Sequence, residues 1–170
     1  MVSEATHHVM QANKSKNTKP ELKVRQALRE AGLGGYRLHW KKAPGKPDIC
    51  YPGRRVAIFV NGCFWHRCPH CALPLPKSNV EFWTRKFRRN VSRDERDALL
   101  LVEAGWTVLV VWECHLKKDR FEGTMADLVR QVRLSESLGR RERGRYVEVG
   151  AIDPWKLAVA RRRARGHLRR

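Results

Sequence analysis

An α/β fold, with a mixed sheet flanked by helices, is predicted by three observations. Residues 56–60 read Val-Ala-Ile-Phe-Val, wholly apolar, as expected of a strand covered on both faces. Residues 106–112 read Trp-Thr-Val-Leu-Val-Val-Trp and follow a long helical pattern. A helix-linked strand of this kind returns parallel within the same sheet. Helical periods also bracket this core, with Val24, Ala27, Leu28 and Ala31 forming one face before it and Met125, Leu128, Val129 and Val132 another after it.

The elements follow in order. Residues 1–17 are polar and aperiodic and predict a flexible basic arm carrying Lys14 and Lys16. Thr18 caps a helix with Pro20 in its first turn and Glu21 near the positive end of the helix dipole, and Gly32 stops it. Residues 36–40 alternate as a strand. The turn Ala43-Pro44-Gly45-Lys46-Pro47 leads into a second strand beginning Asp48-Ile49-Cys50-Tyr51, and Pro52-Gly53 is a hairpin turn before residues 56–60. The three make a meander. Residues 61–77 hold too many Gly, Cys, His and Pro for regular structure and predict a long functional loop. Ser78 or Asn79 then caps a helical region through Phe82, Trp83, Phe87, Val91, Leu99, Leu100 and Val102, ending at Gly105. A last helix is expected from about Glu122 to Leu134. The domain is thus drawn as 18–138. Residues 139–170, with eleven Lys or Arg against three acids, read as a basic extension, partly disordered.

Composition narrows the partners. The 170 residues carry 36 Lys and Arg against 17 Asp and Glu, a net +19, with an isoelectric point near 10.6. A polyanionic partner explains this excess best. A membrane does not, because no apolar run approaches the roughly 20 residues of a spanning helix and the N-terminus lacks a signal-peptide core. A soluble, cytoplasmic, nucleoid-associated protein is the expectation. Five cysteines, odd in number and mostly near His-bearing turns, favour metal binding over a secreted disulfide framework.

Those cysteines are placed suggestively. Cys68-Pro69-His70-Cys71 is a CxxC turn, which lets two thiolates reach one tetrahedral ion; Cys63 lies upstream and Cys114 follows the second long strand. With the two strands adjacent, Cys63, Cys68, Cys71 and Cys114 converge on a structural Zn²⁺. His70 is the alternative to Cys71, and the commoner knuckle geometry favours the cysteine. Cys50, inside a strand, reads as a small core residue.

Asp48 follows Pro47 at the start of a strand, the way many nucleases present a carboxylate to Mg²⁺. The surrounding residues carry more. Pro47-Asp48, Gly62-Cys63-Phe64-Trp65-His66, Pro76-Lys77-Ser78-Asn79, Glu81-Phe82-Trp83, Asn90-Val91, Gly105-Trp106 and Val111-Trp112-Glu113-Cys114, with Asn17-Thr18-Lys19-Pro20-Glu21, resemble the very short patch repair (Vsr) DNA mismatch endonuclease family over roughly residues 12–134. The resemblance implies a restriction-endonuclease-like fold with structural zinc, and a Mg²⁺-dependent nick in one strand of double-stranded DNA, 5′ to the T of a T·G mismatch left by 5-methylcytosine deamination. It implies Asp48 as metal ligand with the carbonyl of Val60, His66 as the base that activates water, and Glu21 as the helix glutamate supporting the site. Asn61 departs from the best-known members, which carry a second histidine there; asparagine hydrogen-bonds a phosphate or water but brings no charge.

DNA contacts are expected from two groups. Phe64 and Trp65, next to a glycine and a zinc candidate, project from a rigid loop and are expected to insert between base pairs rather than pack in the core. The resemblance implies that they do so beside the mismatch with Trp83 joining them, whereas a place on an amphipathic helix equally suits Trp83 to the core. Arg85, Lys86, Arg88, Arg89, Arg93 and Arg96 form a basic helix surface that, with Lys14, Lys16 and Lys19, clamps phosphates. A monomer is expected for a one-strand nick, with mismatch-repair proteins as candidate partners. Two other functions fit the same residues: a restriction or defence nuclease of relaxed specificity, and a zinc-stabilised DNA-binding protein that cleaves little.

Overall fold

The computed structural model describes residues 16–139, 142 and 144–150. Lys14 and the basic residues beyond 150 lie outside them. Helix α1 (Lys19–Glu30) starts at a capping box, in which the Thr18 hydroxyl accepts from the Glu21 amide at 3.4 Å and the Glu21 carboxylate accepts from the Thr18 amide at 3.3 Å. It ends where Gly32 takes φ +75° and the amides of Gly32 and Leu33 turn back to the carbonyls of Arg29 and Leu28. A short strand β1 (Arg37–Leu38), β2 (Ile49–Tyr51) and β3 (Val56–Asn61) form the expected antiparallel meander. Helix α2 (Val80–Glu103) crosses to β4 (Thr107–Trp112), which pairs parallel with β3 from Val56 opposite Thr107 to Asn61 opposite Trp112. Gly105, at φ +77°, ends α2 with the same pattern that ends α1, sending the Gly105 and Trp106 amides to Val102 and Leu101. A single 3₁₀ turn (Glu113–Leu116) leads into α3 (Lys118–Ser137).

The sheet separates two cores. On one face Val56 and Ile58 of β3 with Leu109 and Val111 of β4 meet Val24 and Leu28 of α1 and Met125, Leu128 and Val132 of α3. On the other, Ala57, Val108, Val110 and Trp112 meet Leu101 of α2 and the cysteines Cys63, Cys68 and Cys114. Period-two alternation along β3 and β4 sends successive side chains to these two cores. Cys50 is buried inside β2, as expected, and Trp40 and Trp106 pack together beside the second core at 5.8 Å.

Three expectations change. The inward face of α2 runs through Trp83, Phe87, Asp97 and Leu101, while Leu99 and Leu100 are 56% and 45% exposed. At about 100° per residue, Leu99 and Leu100 stand roughly 200° and 100° round the helix from Leu101 and so fall off the stripe that it occupies. Asn79 stands at the helix start in a left-handed conformation (φ 51°) and its side chain makes no cap bond. Most consequentially, the sheet does not stop at residue 138: β5 (Tyr146–Glu148) adds a fifth strand among the described residues, parallel to β4, with Val149 fully buried behind it. A strand of three residues preceded by arginines carries too little alternation to be read in one dimension. Among the described residues no helix is long and apolar enough to cross a membrane.

Candidate active site

Asp48 enters the site from the turn that precedes β2. Its Oδ2 accepts the Val60 amide at 2.8 Å, which ties the start of β2 to the end of β3. Burial pushes its carboxyl up to about 6; the Val60 hydrogen bond opposes this, and the nearby Glu21 carboxylate adds to it. Glu21 is buried and bonds the Arg25 guanidinium at 2.6 Å. Its cap role and its place in the site are therefore one feature, since the helix start that it closes is what brings it to Asp48.

His39, unassigned in the sequence reading, completes this group. It follows β1 with φ 45°, lies 3.6 Å from the Glu21 carboxylate and 3.7 Å from Asp48 Oδ1, and its imidazole is lowered below the usual histidine range mainly by burial. The donor atoms of Glu21, His39 and Asp48 all lie within 4.8 Å of one another. Two crowded carboxylates, one of them raised toward neutrality, are the environment that a bound divalent cation would relieve, so the residues fit such an ion.

His66 stands at the end of the Gly62-to-His66 turn, whose closing bond runs from the His66 amide to the Gly62 carbonyl at 3.1 Å. Its Nδ1 lies 2.5 Å from the Asp94 carboxylate of α2. Donation from Nδ1 to Asp94 leaves Nε2 as a free lone pair, the form a general base needs. Asn90, one turn earlier on α2, donates to the Trp65 carbonyl at 3.0 Å and pins the same loop to the helix. Asp94 escaped the sequence reading; its signal was its place, with Phe87 and Asn90, on one stripe of the helix. Asp48, Asn61, His66 and Asp94 line one cleft of 1520 Å³, with Lys16 and Lys19 at its margin. Asn61 is 9% exposed at the end of β3.

The aromatic residues do not stand free. Phe64 packs against Trp65, Trp83 and Phe87 at 5.1 to 5.5 Å, and Trp83 is 5% exposed and stacked on Phe87. Trp83 is thus core, and Phe64 and Trp65 are half-buried members of its cluster. Lys86 lies 5.7 Å from the Trp65 ring, while Arg85, Arg88 and Arg89 are exposed along α2. Arg93 and Arg96 instead pair with Asp94 and Asp97.

The ligand atoms of Cys63, Cys68, Cys71 and Cys114 also lie within 4.8 Å of one another, drawn from the loop and from the turn after β4. The sulfurs of Cys68 and Cys114 are 3.7 Å apart, and the Cys114 amide donates to the Cys63 sulfur. Hydrogen bonds from Cys63 and Cys68 lower the Cys114 thiol to about 3, while Cys68 is raised. Four convergent sulfurs, with Cys114 favoured as the thiolate, suit a tetrahedral, thiophilic metal. His70 is outside this set. Its Nε2 faces the Glu148 carboxylate of β5 at 3.2 Å, and the Trp112 indole donates to the same oxygen at 3.3 Å. The clamp between loop and fifth strand was invisible in the sequence because it joins residues 78 positions apart.

A family model described as DNA mismatch endonuclease Vsr matches residues 2–73. The type II nicking enzyme V.XorIIP of Xanthomonas oryzae pv. oryzae is 45% identical over 113 residues, a span that covers 66% of this chain and 82% of that protein. The DNA mismatch endonuclease Vsr of Escherichia coli is 41% identical over 109 residues, covering 64% of this chain and 69% of its own length. The type II nicking enzyme V.NaeI of Lentzea aerocolonigenes is 45% identical over 109 residues, 61% of this chain and 64% of that protein. Identity of this order over most of a relative's length decides the matter, and the chain belongs to the Vsr family of DNA mismatch endonucleases.

Proposed function

We propose that the protein is a Mg²⁺-dependent endonuclease that nicks double-stranded DNA 5′ to the T of a T·G mismatch. The observation that carries this reading is the oriented imidazole: His66 held by Asp94, in the same cleft as Asp48. Asp48 and the carbonyl of Val60 would hold the Mg²⁺, which when bound offsets charge developing on the phosphate oxygens. His66 Nε2 takes the proton of the attacking water, and the Asp94 carboxylate steadies the resulting imidazolium. Glu21 fixes the entry of α1 against Asp48, and Asn61 supplies a neutral hydrogen bond toward water or phosphate. Cys63, Cys68, Cys71 and Cys114 hold a structural Zn²⁺ that anchors the loop bearing His66.

On the DNA side, the edges of Phe64 and Trp65 reach the mismatch, at a few kcal/mol of unstacking that a mispair reduces. Arg85, Lys86, Arg88 and Arg89, with Lys16 and Lys19, contact phosphates. The mixed sheet with its meander and parallel crossover is compatible with a restriction-endonuclease-like fold. The protein acts as a cytoplasmic, nucleoid-associated monomer.

One assay tests the whole reading. Purified full-length chain with Mg²⁺ is given duplexes carrying T·G, C·G or T·A at one position in a 5-methylcytosine context. Nicking confined to T·G is expected. Cleavage of every duplex would replace the repair reading with a nuclease of relaxed specificity, and tight binding without cleavage would leave a DNA-binding protein.

A further inference from the structure

The cleft contains a titratable side chain that the mechanism above does not use. His39 sits between the two carboxylates, 3.6 Å from Glu21 on its Nε2 side and 3.7 Å from Asp48 Oδ1 on its Nδ1 side. The two oxygens of Asp48 are differently engaged, since Oδ2 accepts the Val60 amide and Oδ1 faces the imidazole. The separation of Nδ1 from Oδ1 is too long for a hydrogen bond. It suits two donors sharing one ion, which stand roughly 3 to 4 Å apart when each lies about 2.1 Å from the metal. The backbone at His39 is left-handed at φ 45°, uncommon for a residue with a side chain, and the His39 amide reaches the Asp48 carbonyl at 3.4 Å. That conformation turns the chain at the end of β1, beside the residue whose carboxylate it faces.

We propose that His39 is a further ligand of the cleft's cation site, adding an imidazole nitrogen that raises the site's affinity for first-row transition ions such as Mn²⁺ relative to Mg²⁺. This rests on the endonuclease reading and deepens it. Nδ1 binds beside Asp48, which leaves the ring proton on Nε2, facing the Glu21 carboxylate at 3.6 Å; a shortening of that contact on metal binding would complete the carboxylate–histidine–metal arrangement that fixes tautomer and ring orientation. Arg25 lies 3.3 Å from Nε2 and, being a donor only, gives its hydrogen bond to Glu21 at 2.6 Å in that tautomer. Mg²⁺ prefers oxygen donors, whereas nitrogen donors favour the later divalent metals. The imidazole is thus supplied by the residue that follows β1.

The test uses the zinc-loaded full-length chain without DNA. Mn²⁺ binding is followed by the EPR signal of the free ion, and Mg²⁺ binding by calorimetry. His39→Gln is expected to weaken Mn²⁺ at least tenfold and Mg²⁺ less than threefold, so that the affinity ratio falls. Pulsed EPR of bound Mn²⁺ should show ¹⁴N modulation in the wild type and in His66→Ala, and none in His39→Gln. Equal losses for both ions, Mn²⁺ affinity unchanged in His39→Gln, or no nitrogen modulation in the wild type would each overturn the proposal. Should His39→Gln fail to fold, the wild-type and His66→Ala spectra still decide it. Nicking is scored separately: a chain that holds Mn²⁺ through His39 yet cuts no duplex refutes the endonuclease reading alone, and a chain that cuts without a nitrogen signal refutes this ligand alone.

Discussion

The cysteine cluster and the Glu21–His39–Asp48 cluster are each tight enough for one cation, yet they are built oppositely. The cysteines come from one loop and one turn and are mostly buried, and all four donors are sulfur. The second cluster draws on a helix start, the residue after an edge strand and the entry to a buried strand, mixes carboxylate with imidazole, and opens to the cleft. A closed set of soft ligands holds structure; an open, mixed set leaves room for substrate. On the proposed function, the protein would separate the ion that shapes the loop from the ion that meets the phosphate.

Removing each ion breaks the comparison most severely. Stripping zinc with a strong chelator should abolish nicking and lower Tm by about 10 °C or more, as a structural site contributes folding energy, while Mg²⁺ withdrawal should stop turnover and leave Tm within about 2 °C. Calorimetric melts with and without each ion check this, and equal shifts would erase the distinction.

Asp48→Asn should reduce nicking by at least about a thousandfold, read in single-turnover cleavage. Its stability effect should run the other way. Burial raises the Asp48 carboxyl to about 6, so the folded chain without Mg²⁺ binds a proton that the unfolded chain has released. That contribution is present below about pH 4 and is lost as pH rises through 6. At pH 7.5 Asp48→Asn should therefore be more stable than wild type by roughly 1–3 kcal/mol, a gap that closes toward pH 4. Urea melts across that range would show it, and a variant less stable at pH 7.5 would contradict the assigned burial.

Asp94→Asn keeps the hydrogen bond and removes the charge behind His66. Nicking in single-turnover cleavage should fall about 10- to 100-fold, as the imidazolium formed when His66 takes the proton of water loses its countercharge. An unchanged rate would demote Asp94 to packing. The smallest effect is expected at Glu148→Ala, which unpairs His70 and the Trp112 indole from β5; a loss of about 1–3 kcal/mol in unfolding free energy, with nicking rates at saturating DNA within about threefold, would place the clamp on the structural side.

Legibility in the sequence followed the same division. The cysteine cluster was readable because Cys68 and Cys71 are local and Cys114 closely follows a strand whose partner could be inferred, and the structure turns His70 away to Glu148. Thr18 and Glu21 were readable as a helix start, since a capping box spans four residues. The resemblance named Asp48 and His66, while their supports went unseen. His39 stands in a short polar stretch with no period, and Asp94 hides among arginines. Leu99 and Leu100 show the reverse error, where hydrophobicity alone suggested burial and the helical phase gave the inward place to Leu101.

Charge, strand alternation, helix caps and the CxxC turn were set by the sequence alone, because each is an interaction between residues a few positions apart, whose geometry the backbone period dictates. The pairing of His66 with Asp94, the placing of His39 between Glu21 and Asp48, and the docking of β5 through Glu148 were decided only by tertiary structure. Each joins segments that meet after the sheet has closed, where burial, rather than local propensity, determines which polar groups must find one another.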